Sequence, residues 1–254
     1  MKANITSLVI GLCAGAFGGL IGIGGGLIMI PLMVLFLRLG QHKAHGTSLV
    51  ALIFTGISGA IIYGLHSSVD YAAAATMAVA AVFTAHLGAR YAHRLAEWKL
   101  RKYFGIFLFF CAMLLFFKPY MGGAVVIVSP AVKTILFLIA GAATGFLSGM
   151  MGVGGGTIMV PVMVLLFGFS QHTAQGTSLL VMVPAGIVGA LTHWKMGNVN
   201  HKILYGLIAG ILAGAYAGGW LAHLIEEDML RLIFVTIMIV LAFRYIKASH
   251  PEES

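Results

Sequence analysis

A glycine cluster that occurs twice constrains this chain more than any other feature. The first copy reads Gly22-Ile23-Gly24-Gly25-Gly26-Leu27-Ile28-Met29-Ile30-Pro31, and the second reads Gly152-Val153-Gly154-Gly155-Gly156-Thr157-Ile158-Met159-Val160-Pro161. Each leads into a matching polar stretch, Gln41-His42-Lys43-Ala44-His45-Gly46-Thr47-Ser48-Leu49 and Gln171-His172-Thr173-Ala174-Gln175-Gly176-Thr177-Ser178-Leu179. From Gly24 to Leu49, sixteen of the twenty-six residues are identical to those 130 positions later. The same offset, without a gap, pairs Gly56 with Gly186, Gly88 with Gly218, His93 with His223 and Phe104 with Phe234. A duplicated unit of about 130 residues is too long for a solenoid repeat and suits half of a transporter.

Three consecutive glycines followed by a proline make poor continuous helix. They sit in a chain that is 60% hydrophobic and only 9% charged, against roughly 45–50% and about 25% in soluble domains. Such a chain cannot cover itself with polar surface, so lipid is its solvent. Apolar runs occupy residues 5–37, 47–65, 71–92, 103–117, 133–168, 177–194, 201–223 and 229–246. The first and fifth are too long for one crossing and too short for two, and each is cut by a glycine cluster. Unpaired backbone survives in hydrocarbon only where protein buries it or a cavity receives it. Each long run is therefore either a broken, tilted spanning helix or a re-entrant hairpin.

Loop charge discriminates between these arrangements. With eight crossings, the fifteen Lys and Arg residues divide eight to seven and leave no topology signal. With both long runs as hairpins and the N-terminus inside, twelve fall on the cytoplasmic side and only Lys118, Lys133 and Arg231 outside. A seven-crossing version gives eleven to four. The matching glycine segments favour equal behaviour of the halves, hence six crossings. The expected fold is all-α integral membrane, with two inverted repeats. Each repeat would hold a glycine-broken or re-entrant helix pair plus three transmembrane helices. The expected divisions are 1–117 and 133–248 for the repeats, 118–132 for the linker and 249–254 for a polar tail. Residues 5–22 have an uncleaved counterpart at 135–152, which assigns them to the fold rather than to a signal peptide.

Function classes narrow by elimination. The pI of 9.7 comes from short-loop cations without interleaved aromatics, so no nucleic acid partner is expected. Gly22–Leu27 fits neither the dinucleotide fingerprint nor the P-loop. Cys13 and Cys111 lie in apolar runs without metal spacing, and no H-E-x-x-H or hydrolase dyad occurs, so neither a metal, a cofactor nor an enzyme is expected. All seven Asp and Glu residues fall outside the membrane runs. Nothing there would hold sodium or a cationic substrate, so a small anion carried by alternating access is the expected cargo, with an anion channel-like or scaffolding membrane protein as the alternative.

The residues expected to bind it follow from the glycine breaks. Unshielded N–H groups ahead of a helix start, pointed at by the positive end of its dipole, attract anions. That selects Gly24, Gly25 and Gly26 with Gly154, Gly155 and Gly156. The hydroxyls of Thr47, Ser48, Thr177 and Ser178 stand at the openings of the next runs, where they either cap helices or reach substrate. His42 and His172, at equivalent places, and His86, inside an apolar run, are candidates for gating or proton coupling. Arg90, at the end of the third run, is a candidate for attracting substrate. The lipid bilayer is the other expected partner, and a homo-oligomer is left open.

The doubled G-x-G-G-G-x-x-x-x-P element and the A-x-G-T-S-L segments at Ala44–Leu49 and Ala174–Leu179 resemble the sulfite exporter TauE/SafE family, over about residues 8–247. The resemblance implies a multi-pass transporter of a bacterial or archaeal plasma (inner) membrane. It implies export of sulfite, sulfoacetate, thiosulfate or a related organic anion. Lys43 stands where the other repeat has Thr173, so the mouth at Lys43 gathers anions more strongly.

Overall fold

The computed structural model describes residues 2–91, 97–118, 129–152 and 154–247. Most of the expected linker and the whole of the expected polar tail, 249–254, lie outside them. Ten α-helices follow in order: α1 (Lys2–Ile21), α2 (Gly26–Leu37), α3 (Gln41–Leu65), α4 (Tyr71–Tyr91), α5 (Glu97–Phe117), α6 (Pro130–Met151), α7 (Gly156–Leu166), α8 (Gln171–Lys195), α9 (Leu204–Leu224) and α10 (Glu227–Lys247). Among the described residues, seven are long and apolar enough to cross a membrane, α1, α3, α4, α6, α8, α9 and α10. This is an all-helical, multi-pass membrane protein.

The glycine clusters do what their composition demands. Gly22 and Gly152 take φ of 74° and 63°, and Gly24 and Gly154 take 91° and 88°, conformations that residues with a Cβ rarely adopt. The break ends α1 and α6 and starts the half-length helices α2 and α7. Gly25 then lies against Ala14, seven residues back from the end of α1, so the chain reverses. Pro31 and Pro161 sit inside α2 and α7, where each missing N–H frees a carbonyl one turn earlier.

The second apolar run in each half begins, as a helix, earlier than its apolar residues announce. α3 starts at Gln41 after Gly40, and α8 starts at Gln171 after Ser170, whose hydroxyl accepts from Thr173 N at 3.1 Å. The Gln-His segments are therefore first turns of helices. Thr47, Ser48, Thr177 and Ser178 lie six or seven residues inside, not at the caps.

Packing follows the 130-residue offset and exchanges elements between halves. α1 lies along α9, running the same way, with Gly11, Gly15 and Gly19 against Leu207, Ile211 and Ala215. Its counterpart α6 lies along α4 in the same manner, with Gly141, Gly145 and Gly149 against Met77, Ala81 and Ala85. A methyl group at Gly15 would sit 2.7 Å from Ile211 O; this close approach is how helices cohere in lipid, where no hydrophobic force drives them together. α3 and α8 cross at the centre, with Gly56 against Leu179 and Val183 and Gly186 against Leu49 and Ile53. These two equivalent helices run in opposite directions. α5 pairs with α10 through Phe104–Tyr245 and Phe109–Phe243, centroids 5.6 and 5.8 Å apart.

Two faces result. One gathers the starts of α1, α3 and α9 and the ends of α4 and α8, with Arg38, Lys43, Arg90, Lys195 and Lys202. The other gathers the starts of α4, α6, α8 and α10 and the end of α3, with Asp70, Glu226, Glu227 and Asp228. They are called the basic and acidic faces below.

Candidate functional site

The two glycine turns meet. Gly156 packs on Gly22 and Ile23, and Gly154 packs on Ile23 with Leu52 at its side. Gly24 is flanked by Leu52 and Met182, the middle of α3 and α8. Among the expected glycines, Gly24, Gly25, Gly26, Gly154, Gly155 and Gly156 are all buried here. The first N–H groups of α2 and α7 have no acceptor within their own helices, and both helix starts belong to this junction.

A serine holds each turn in place. Ser178 Oγ stands 2.7 Å from Gly22 O and 2.8 Å from Gln175 O; Ser48 Oγ stands 2.9 Å from Gly152 O and 2.7 Å from His45 O. Each hydroxyl thus donates to the turn of the opposite half while keeping its own helix in reach. The threonines beside them do something else. Thr177 Oγ1 accepts from Asp70 N at 2.9 Å and Thr47 Oγ1 accepts from Asn200 N at 3.0 Å, tying α8 and α3 to the loops ahead of α4 and α9. The serines, not the threonines, stand at the glycine turns.

A polar column climbs from each turn toward one face. On the acidic side it is Ser178, Gln175 and Gln171 along one edge of α8, at helical spacing. Tyr63 of α3 donates to Gln175 Oε1 at 2.8 Å and lies 3.1 Å from Gly19 O. Gln175 presses on Gly22, where a methyl group would sit 2.6 Å from its Cβ. Both glutamines are fully buried, yet Gln175 Nε2 and both polar atoms of the Gln171 amide have no hydrogen-bond partner. A buried unsatisfied polar group costs about 1–3 kcal/mol, so these three atoms leave unused hydrogen-bonding capacity in one column beside the Gly22 turn. On the basic side the equivalent column is Ser48, His45 and Gln41 on α3, with His193 of α8 in the place of Tyr63. His193 Nε2 lies 3.2 Å from Gly149 O, and His45 Nε2 lies 3.4 Å from Gln41 Oε1.

Comparison with known proteins puts this doubled architecture in context: the family profile for sulfite exporter TauE/SafE matches residues 7–245. The chain belongs to the sulfite exporter TauE/SafE family. It is 29% identical over 261 residues to the probable membrane transporter protein YunE of Bacillus subtilis, covering 91% of both chains. It is 26% identical to YdhB of the same organism, over 86% of this chain and 90% of that one. A probable membrane transporter of Methanocaldococcus jannaschii, MJ0441, is 27% identical over 77% of this chain and 74% of its own. No solved structure gives a significant match.

In this TauE/SafE protein the histidine and arginine candidates scatter. His42 and Arg90 are exposed at the basic face. His86 reaches Thr192 Oγ1 at 3.2 Å, beside that face. His172 is on the acidic face, 2.9 Å from Ala222 O and 5.1 Å, centroid to centroid, from His223. His86 is also not the most enclosed histidine, as its place in an apolar run leads one to expect: His193 is 1% and His45 9% exposed. Sequence reading missed His45, His193, Gln175 and Tyr63. Their signal is a pair of linked mismatches at the 130-residue offset, His45 against Gln175 and Tyr63 against His193.

Proposed function

We propose that this protein is a secondary transporter of a small anion, sulfite, thiosulfate, sulfoacetate or a related organic anion, exported by alternating access across a bacterial or archaeal inner membrane. The two halves act as inverted repeats, each offering a re-entrant glycine hairpin to a shared central site. The opposite running of α3 and α8, and the return of α2 to the face where α1 starts, support that arrangement.

The observation that carries the reading is the unpartnered Nε2 of the Gln175 amide beside the Gly22 turn, at a junction where two helix starts converge. An anion there would take hydrogen bonds from Gln175 Nε2 and from backbone N–H groups of Gly24–Gly26 and Gly154–Gly156, with both dipoles favouring it. Neutral donors suit a transporter, because a buried fixed cation would hold the anion too tightly to release it and would itself be costly without it. The family's name, sulfite exporter, supports the sulfur oxyanion class, and the basic charge at the Lys43 mouth supports loading from that side.

The test is flux into vesicles reconstituted with the pure protein, over sulfite, thiosulfate and methanesulfonate. Saturable flux, stimulated by unlabelled anion on the far side, is expected for at least one of them. Flux that never saturates would make the protein a channel, and protein-independent flux of every anion would refute the reading.

A further inference from the structure

Packing cannot tell the two ends of the Gln175 amide apart, because its oxygen and its NH2 group are nearly equal in size. The torsion that exchanges them is broad and roughly two-fold. One end accepts hydrogen bonds and the other donates them, so the exchange reverses what the glycine junction meets. Whether an anion is drawn there or turned away depends on what holds the amide.

Among the described residues, the hydrogen-bond partner of that amide is Tyr63, 2.8 Å from Oε1. The Tyr63 ring is fully buried and clamped on three sides. A methyl group at Gly176 of α8 would sit 2.7 Å from its Cβ, and one at Gly219 of α9 would sit 3.3 Å from its Cε2. The His223 ring stands across it, 4.6 Å between centroids and 66° between planes. The hydroxyl has one proton and three acceptors in reach: Gln175 Oε1, Gly19 O at 3.1 Å and Leu20 O at 3.4 Å. The two carbonyls belong to the last turn of α1. The shortest approach gives the proton to Oε1, which leaves Nε2 as the end without a partner beside the Gly22 turn. Reversed, the amide would donate from Nε2 to the phenol oxygen, and Tyr63 would donate to Gly19 O. The open end would then be Oε1, an acceptor that repels an anion.

We infer that Tyr63 is a positioning residue for the anion site, a clamped phenol whose single proton turns the donor end of Gln175 toward the glycine junction and so sets the preference for negative charge. The inference rests on the transporter reading above and adds the group that decides the polarity of its site. Phenol and anion act on opposite ends of one amide, and each favours the orientation that the other needs. By linkage each then strengthens the other's hold.

A double-mutant cycle tests this. Isothermal titration measures the affinity of the pure protein for thiosulfate and for sulfite in the wild type, Tyr63→Phe, Gln175→Met and the double variant. Gln175→Met should weaken binding about ten- to hundredfold. Tyr63→Phe keeps the ring and its packing, and should weaken binding about two- to tenfold, the value of one neutral hydrogen bond. The double variant should bind no more weakly than Gln175→Met alone, because without the amide there is nothing to orient. A Tyr63→Phe protein that binds as the wild type does overturns the inference. So does one that adds its own factor on top of Gln175→Met, which is the behaviour of a merely structural residue. Gln175→Met with wild-type affinity, or a wild type that binds neither anion, overturns the anion site itself and the inference with it. The chain holds three glutamines, Gln41, Gln171 and Gln175, so one side-chain amide can be followed by NMR even if Tyr63→Phe does not fold. In wild-type protein with nitrogen-labelled glutamine, the NH2 signal that is missing from Gln175→Met should shift when thiosulfate binds. A signal that stays in place while thiosulfate binds overturns the inference, because the donor end then does not face the anion.

Discussion

Replacing Gln175 by methionine separates substrate binding by this amide from any structural task it has. The side chain is fully buried and its Nε2 has no partner. Relieving that unsatisfied group is worth about 1–3 kcal/mol, while the lost bond from Tyr63 costs about 0.5–1.5 kcal/mol. The Tyr63 hydroxyl keeps Gly19 O within 3.1 Å, so it is not stranded. Methionine fills the same space with a flexible chain. The net expectation is a gain of about 1 kcal/mol, which raises the melting temperature by about 2–4 °C in a protein of this size. Binding should move the other way. A hydrogen bond to a charged partner is worth about 1.5–3 kcal/mol, so anion affinity should fall about ten- to hundredfold. Differential scanning fluorimetry and anion flux on one preparation read both quantities. A variant that melts higher and transports normally would show that Gln175 does not touch the anion. A variant that melts several degrees lower would show that the amide is structural.

The serine latches give a matched pair of expectations: Ser48→Ala and Ser178→Ala each strand a buried carbonyl of the opposite turn, and each should lower stability by about 1–3 kcal/mol, read as similar drops in melting temperature. Gly156→Ala drives a methyl group onto Gly22 and Ile23 and should abolish folded, monodisperse protein or its anion binding. Gly40→Ala, at φ −61° with open space around it, should leave both intact and stabilise by about 0.4–1 kcal/mol, as size-exclusion and melting profiles will report. Cysteines placed at Lys43 and Lys195 should react with an impermeant maleimide from one side of the membrane and a cysteine at Lys133 from the other; reaction of the first two from different sides would rule out the inverted arrangement.

The sequence already displayed the main construction principle. Two identical Gly-x-Gly-Gly-Gly elements at one offset announced two equivalent breaks, and the structure brings those breaks into contact. The register of the following helices was harder to read. Gln41 and His42 are polar and look like a loop, yet a helix whose first turns lie at the membrane surface tolerates polar residues there, so the capping residues are Gly40 and Ser170. The hydroxyl pairs were legible as a motif but not in their division of labour. That Thr177 serves the loop before α4 while Ser178 serves the Gly22 turn depends on which way adjacent residues of one helix point. The partners of the two columns were hidden for a simpler reason: Tyr63 and Gln175 are 112 residues apart, and only the crossing of α3 and α8 joins them. His193 was hidden for the same cause, because its burial comes from α3 and α6 rather than from its own segment.

The central claim is that a small oxyanion is held where the two glycine turns meet. Crystals soaked with selenite, a heavier analogue of sulfite with a strong anomalous signal, test this most directly. The predicted result is an anomalous peak within about 3 Å of Gln175 Nε2 and of the first backbone N–H groups of α2 or α7, the hydrogen-bonding range for a charge-assisted contact. A peak confined to Lys43 and Arg90 at the basic face, with the glycine junction empty, would contradict it.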